Sequence, residues 1–141
     1  MKAQVKWGGN VNFVATTGTG HTIQMDGPEE KGGQNLGARP MELMLVAVGG
    51  CSSYDVVGIL QKSRQDVEDC EVFVEGERAD AVPAVYTKIH LKFVVSGRKL
   101  KESQVKKAVE LSAEKYCSAS IMLTNGGVEL THSYEIVELG E

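Results

Sequence analysis

The chain has 141 residues, 42% hydrophobic and 24% charged, with a net charge of −4 made of intermixed acidic and basic residues. That length suits one compact soluble domain, or two tightly interlocked halves, with a core large enough to need no disulfide staples. Nucleic-acid binding would call for a basic face, which this charge pattern does not supply, so no nucleic-acid partner is expected.

In chain order, residues 2–7 and 11–16 read as short strands joined at Gly8-Gly9-Asn10, residue types that tolerate the positive φ of a hairpin turn. His21–Met25 reads as a third strand after the Gly18-Thr19-Gly20 turn. Asp26–Ala38 is Gly-rich, polar and aperiodic, a loop of about a dozen residues. Pro40 suits the first turn of a helix. From there to about Ser63 apolar residues recur on nearly every face, which predicts a helix buried on most sides.

Gly49-Gly50 inside that helix costs ~1 kcal/mol per glycine relative to alanine. Close packing of a neighbouring helix or sheet accounts for such a pair, as does a bend opening space beside Cys51. Alternation over Val67–Arg78 and Val85–Val95 predicts two long antiparallel strands joined around Asp80–Pro83. Lys101–Tyr116 carries an apolar stripe through Val105, Ala108, Val109, Leu111 and Ala113 and predicts an amphipathic helix. Cys117-Ser118 marks a cap or corner, Ser118–Leu123 a short helix, Asn125-Gly126-Gly127 a turn, and Val128–Val137 the last strand. Strands first, then helices interleaved with a strand pair, give an α+β fold.

Three cysteines, none paired as C-x-x-C, make a zinc site unexpected, and no metal or organic cofactor is predicted. The opening Met1-Lys2-Ala3-Gln4-Val5-Lys6-Trp7 lacks an apolar signal region, so a cytoplasmic location is expected. There a functional disulfide is transient and catalytic. The apolar run Leu43–Leu60 is interrupted by Ser52-Ser53-Tyr54-Asp55, short of the ~20 apolar residues of a membrane span, and reads as a core helix.

Cys51 shares its helix face with Met44 and Val48 behind and Asp55 one turn ahead, since each residue turns about 100°. The Asp55 charge raises the thiol pKa. Glu42 falls on the opposite face, and Arg39 before the helix is a candidate cation, from this chain or a second copy. Cys117 is a candidate to resolve an oxidised Cys51 if folding brings the two together; as bare residues, two cysteines of this kind are more often structural core residues than a catalytic pair. Cys70, between Asp69 and Glu71, reads as structural, and His21, His90 and His132 as ordinary strand residues.

The stretch from Arg39-Pro40-Met41-Glu42-Leu43 through Gly49-Gly50-Cys51-Ser52-Ser53 to Val57 resembles the central helix of the OsmC/Ohr family. Leu111-Ser112-Ala113-Glu114-Lys115-Tyr116-Cys117-Ser118 resembles that family's second cysteine motif. The strand pair between them fits as well, so the resemblance covers nearly the whole chain and is nearest to the small OsmC-like branch carrying P-M-E-L and G-G-C. It implies an OsmC-like fold, with antiparallel sheets around a long central helix, in a single domain 1–141. Residues 1–38 would form its N-terminal strands and loop, and 39–141 the rest.

The resemblance further implies an interlocked homodimer and thiol-dependent peroxidase chemistry on organic hydroperoxides, with an external dithiol as reductant. Cys51 matches the peroxidatic and Cys117 the resolving cysteine, with Arg39 and Glu42 as the activating pair. Family members carry a glutamate ten residues before the first cysteine, where this chain has Met41 with Glu42 one place later; they also carry an arginine in the N-terminal strands, where this chain has none before Arg39. A second reading is a non-catalytic protein holding a small hydrophobic ligand in the dimer cleft, drawn from Met41, Met44 and Met122. Thiol acyl transfer through Cys51 ranks last, because no histidine base falls at a recognisable motif.

Overall fold

The computed structural model describes residues 1–140. Packing divides the chain into two compact units, Met1–Met44 and Leu45–Glu141. The first unit holds an antiparallel meander of β1 (Ala3–Trp7), β2 (Phe13–Thr17) and β3 (Thr22–Met25). Val5 stands opposite Ala15, and Phe13 opposite Met25. Gly9 and Asn10 both take positive φ at the first turn, as their residue types predict.

The Asp26–Ala38 segment is more ordered than its composition suggests. A single 3-10 turn, Glu29–Lys31, forms within it. The buried Asp26 carboxylate gathers the rest by accepting the N–H groups of Gly27, Gln34 and Leu36 at 2.8, 3.1 and 3.2 Å. The Ala38 and Gln24 backbones close the base of the loop through an N–H···O bond of 3.2 Å.

Helix α1 runs Pro40–Lys62, followed by β4 (Asp66–Arg78) and β5 (Tyr86–Arg98). The predicted amphipathic helix stops early: α2 is Glu102–Leu111, and Ser112–Tyr116 forms a wide π turn. The short helix α3 (Ser118–Asn125) and strand β6 (Glu129–Glu138) complete the chain.

The second sheet has the order β4-β5-β6. β4 and β5 pair antiparallel as expected, but β6 pairs with β5 in parallel, Ile89 against Leu130 and Phe93 against Tyr134. The sheet is mixed where antiparallel pairing was expected. The reason is the connection: α2, the π turn and α3 carry the chain back to the same end of the sheet, the crossover that parallel strands require.

The core of this unit is Val48, Val56 and Leu60 from α1, Ile89, Leu91, Phe93 and Val95 from β5, and Val105 and Val109 from α2. On α1 only Val48, Gly49, Ser52, Val56 and Leu60 are buried. The expectation of burial on most sides is therefore corrected to one stripe at i, i+4 spacing. Val46 and Tyr54, on another face, are 66% and 82% exposed. An 18-residue window of α1 has mean hydropathy 1.7, so by length and composition alone this helix is apolar enough to cross a membrane, contrary to the expectation drawn from its polar interruption. Its buried stripe contributes to a protein core.

Gly49 explains half of the glycine pair. A Cβ there would sit 3.0 Å from Val74 Cγ2 and 3.4 Å from Val72 Cγ1, so α1 approaches β4 closely enough that any side chain at this position would have to push a valine methyl aside. A Cβ on Gly50 would meet nothing within 4 Å.

Candidate functional site

The fold of the second unit brings Cys51 and Cys117 together across 65 intervening residues of chain. Cys51 lies on α1 next to the buried Ser52. Cys117 closes the π turn, its N–H donating to the Ser112 carbonyl at 2.8 Å, and in the same residue the chain turns extended to become the N-cap of α3. As N-cap, the Cys117 sulfur accepts the Ser120 N–H at 3.3 Å, in the role a serine or aspartate oxygen usually fills. Among the described residues, the Cys51 sulfur, the Cys117 sulfur and an Asp55 carboxylate oxygen all lie within 4.8 Å of one another.

Three serines tie this cluster together. Ser52 Oγ lies 3.2 Å from Cys117 Sγ and 3.3 Å from Ser120 Oγ. The Ser112 hydroxyl lies 3.2 Å from the Ser52 carbonyl oxygen and 3.3 Å from Asp55 Oδ2, so its one hydrogen is shared between two acceptors. Ser52, Ser112 and Ser120 are buried, and sequence reading assigned none of them to the site. Two signals were available: a serine three residues after Cys117, at the N3 position of a capped helix, and a serine inside an otherwise apolar helical stripe.

The two thiols differ. Burial pushes the Cys51 thiol up, and the neighbouring Cys117 and Asp55 add to that, against an N–H from Ala119 that favours the thiolate. The Asp55 effect has the direction expected from helical spacing. For Cys117, burial also opposes ionisation, but the hydroxyls of Ser120 and Ser52, the Ser120 N–H and the Cys51 thiol outweigh it and bring the pKa down. The two shifts run in opposite directions, so the surroundings favour ionisation of the buried Cys117 over that of Cys51. The donors decide this: Cys117 collects hydroxyl, amide and thiol hydrogens, while Cys51 faces a carboxylate.

Arg39 and Glu42 are hydrogen-bonded within the Met1–Met44 unit. The Arg39 N–H donates to Glu42 Oε1 at 2.9 Å, and the Arg39 guanidinium to Asn35 Oδ1 at 2.8 Å and the Gly37 carbonyl at 3.2 Å. Glu42 thereby caps the first turn of α1, at the third helical position. Cys70 sits apart on β4; burial, followed by Asp69, holds its thiol up, as expected for a structural cysteine. His90 bonds the hydroxyls of Thr131 and Ser133 at 2.7 and 2.9 Å across the β5–β6 pair.

A groove of ≈ 460 Å³ reaches Asp55 from solvent, with Tyr54, Ile59, Leu111 and Tyr116 as apolar and aromatic lining and Lys107 among its cations. A larger hollow of ≈ 850 Å³ lies by Arg64, Arg98 and Lys99, away from any cysteine.

An α+β unit that carries one thiol on a long helix and a second at the cap of a short one, sulfur near sulfur, is a paired-thiol protein. The sequence matches the family model described as OsmC-like protein over residues 32–133, and the chain belongs to that family. Protein YhfA of Escherichia coli (strain K12) is 50% identical over 140 residues, covering 97% of this chain and 98% of that protein. A hypothetical protein from Aquifex aeolicus VF5 aligns in structure with a TM-score of 0.83 at 34% identity, covering 99% of this chain and 96% of the other. An organic hydroperoxide resistance protein OsmC from Legionella pneumophila aligns with a TM-score of 0.70 at 18% identity, over 95% of each chain, and shares the fold.

Proposed function

We propose that this protein is a thiol-dependent hydroperoxide reductase acting on organic hydroperoxides in oxidative-stress defence. The observation that carries the reading is the meeting of the Cys51 and Cys117 sulfurs within 4.8 Å, one half-buried and one fully buried. The Cys51 thiolate attacks the O–O bond of a hydroperoxide, giving Cys51 sulfenic acid and an alcohol. Cys117 then attacks the sulfenic sulfur, forming the Cys51–Cys117 disulfide and releasing water. An external dithiol takes up that disulfide by exchange and leaves two protein thiols. The low-pKa environment of Cys117 suits the second step, in which it is the nucleophile.

The first step needs the proton taken from Cys51, against burial and Asp55. In this reading the activating cation is Arg39, oriented with Glu42 and donated in a homodimer. Exposed apolar side chains on α1 (Val46, Tyr54) and on β1 (Val5, Trp7) support self-association. The reading places the dimer in the cytoplasm, where a reducing environment keeps both thiols available.

The test is stopped-flow mixing with cumene hydroperoxide. Cys51 is expected to oxidise far faster than free cysteine, Cys51→Ser to abolish turnover, and Cys117→Ser to allow one round of oxidation. A wild-type rate no better than that of free cysteine rejects the reading. The upward shift of the Cys51 thiol favours one rival, a non-catalytic dimer holding a small hydrophobic ligand. Native mass spectrometry showing a co-purified apolar ligand, together with an inert Cys51, would select it.

A further inference from the structure

Cys51 and Asp55 are one helical turn apart on α1, the spacing that aims two side chains at one point. Cys117 meets them from the π turn, and the three ligand atoms lie within 4.8 Å of one another. A tetrahedral ion with sulfur at about 2.3 Å and carboxylate oxygen at about 2.0–2.2 Å holds such atoms roughly 3.5–3.8 Å apart. Side-chain movement of about one ångström therefore closes the cluster around an ion of that size.

Two further features point to a cation. Three groups that are anionic when deprotonated converge here, a repulsion that a divalent ion converts into attraction. The surrounding hydrogen bonds are of the kind that hold ligands in orientation: the Ser112 hydroxyl on Asp55 Oδ2 at 3.3 Å, and Ser52 Oγ and the Ser120 N–H on Cys117 Sγ at 3.2 and 3.3 Å.

We propose that Cys51, Asp55 and Cys117 form a binding site for a thiophilic divalent cation of the zinc class, with solvent in the fourth position. Two thiolates favour zinc-like ions over magnesium or calcium, which take oxygen ligands. On binding, each sulfur gives a lone pair to the ion and each thiol proton passes to solvent; no electrons change hands. A sulfur that shares a lone pair with the ion is a weaker nucleophile toward peroxide than the free thiolate, so the loaded site is a protected form of the cysteine pair. That consequence rests on the proposed peroxidase reading; the binding itself does not. Cysteine spacing along the sequence hides the site because its ligands come from one helical turn plus a distant segment.

The test titrates Co²⁺ into the reduced full-length protein without oxygen. The expected result is a single equivalent bound, with the intense visible bands of tetrahedral cobalt and a near-ultraviolet sulfur-to-cobalt band, both lost as Zn²⁺ displaces it. Asp55→Asn keeps both thiols and is expected to weaken Co²⁺ binding by about 10- to 100-fold. Zn²⁺ is expected to slow maleimide labelling of Cys51 in the wild type and much less in Asp55→Asn. Absence of the sulfur band, a weak octahedral spectrum, or an Asp55→Asn variant that binds like the wild type overturns the proposal. Neither readout uses peroxide, so a catalytically inert protein that binds Co²⁺ upholds the site, and an active peroxidase that does not bind it sinks the site.

Discussion

Ser52 is a small polar side chain on the apolar stripe of α1, and its burial is explained by what it touches. Its hydroxyl reaches Cys117 and Ser120, and it is one of the groups holding the Cys117 thiol down. Ser52→Ala removes that donor, so the Cys117 thiolate is expected to form at higher pH than in the wild type. A thiolate-absorbance titration of the Cys51→Ser background, with and without Ser52→Ala, reads the shift; an unmoved midpoint contradicts the assigned role. Asp55 acts on Cys51 with the opposite sign, since its charge adds to the burial that keeps that thiol protonated. Asp55→Asn is therefore expected to speed iodoacetamide alkylation of Cys51 at neutral pH, with no metal present. Slower labelling would show that Asp55 acts on Cys51 by some means other than its charge.

At the scale of elements, two local devices set geometry. The first is the approach of α1 to β4 at Gly49. Gly49→Ala introduces a Cβ 3.0 Å from Val74 Cγ2, and overpacking of this kind costs about 1–3 kcal/mol, outweighing the gain in helix propensity. Urea unfolding monitored by circular dichroism measures it, and a variant as stable as the wild type would show that the contact relaxes freely. The second is the Asp26 loop. The Gly27 N–H, with those of Leu36 and Gln34 and the Asn12 side chain, holds the Asp26 carboxyl below its ordinary value of 3.8, against its burial. In that window the unfolded chain binds more protons than the folded one, so stability falls as pH drops. The contribution is complete above 3.8 and is lost as pH falls through the lower folded value. Asp26→Asn is expected to lower the melting temperature at neutral pH and to flatten its decline in acid. A decline as steep as that of the wild type assigns the acid sensitivity to other carboxylates.

For the molecule as a whole, α1 has two apolar faces and the single chain covers one. Val46, Gly50 and Tyr54 recur at i, i+4 and i+8 on an exposed stripe, and a Cβ added to the glycine at its centre would meet nothing within 4 Å among the described residues. Helix propensity alone favours replacing that glycine, whereas a second helix packed closely there does not tolerate a large side chain. If the homodimer proposed above packs through this stripe, Gly50→Leu is expected to give a monomer where the wild type gives a dimer in size-exclusion chromatography with light scattering, without loss of helix content. A variant that stays dimeric places the interface elsewhere.

The order and type of the elements were legible because they follow from local periodicity: alternation over β4 and β5, the apolar length of α1, and turn chemistry at Gly8-Gly9-Asn10. The family was legible from the residues around Cys51 and Cys117, and the charge effect of Asp55 from its place one turn beyond Cys51. The parallel pairing of β6 was not, because a strand's partner is set by the path of its connection and not by its own alternation. The π turn was not, because it differs from an α-helix by one residue in hydrogen-bond spacing, which leaves no compositional mark. The serine cluster and the direction of ionisation within the thiol pair were also decided only by folding. A thiol's acidity depends on which donors and charges lie within a few ångströms of the sulfur, and here only one of them, Ser120, is a near neighbour of Cys117 in the chain; Ser52 and Cys51 reach it from α1, more than sixty residues away, and only the tertiary fold sets their distance.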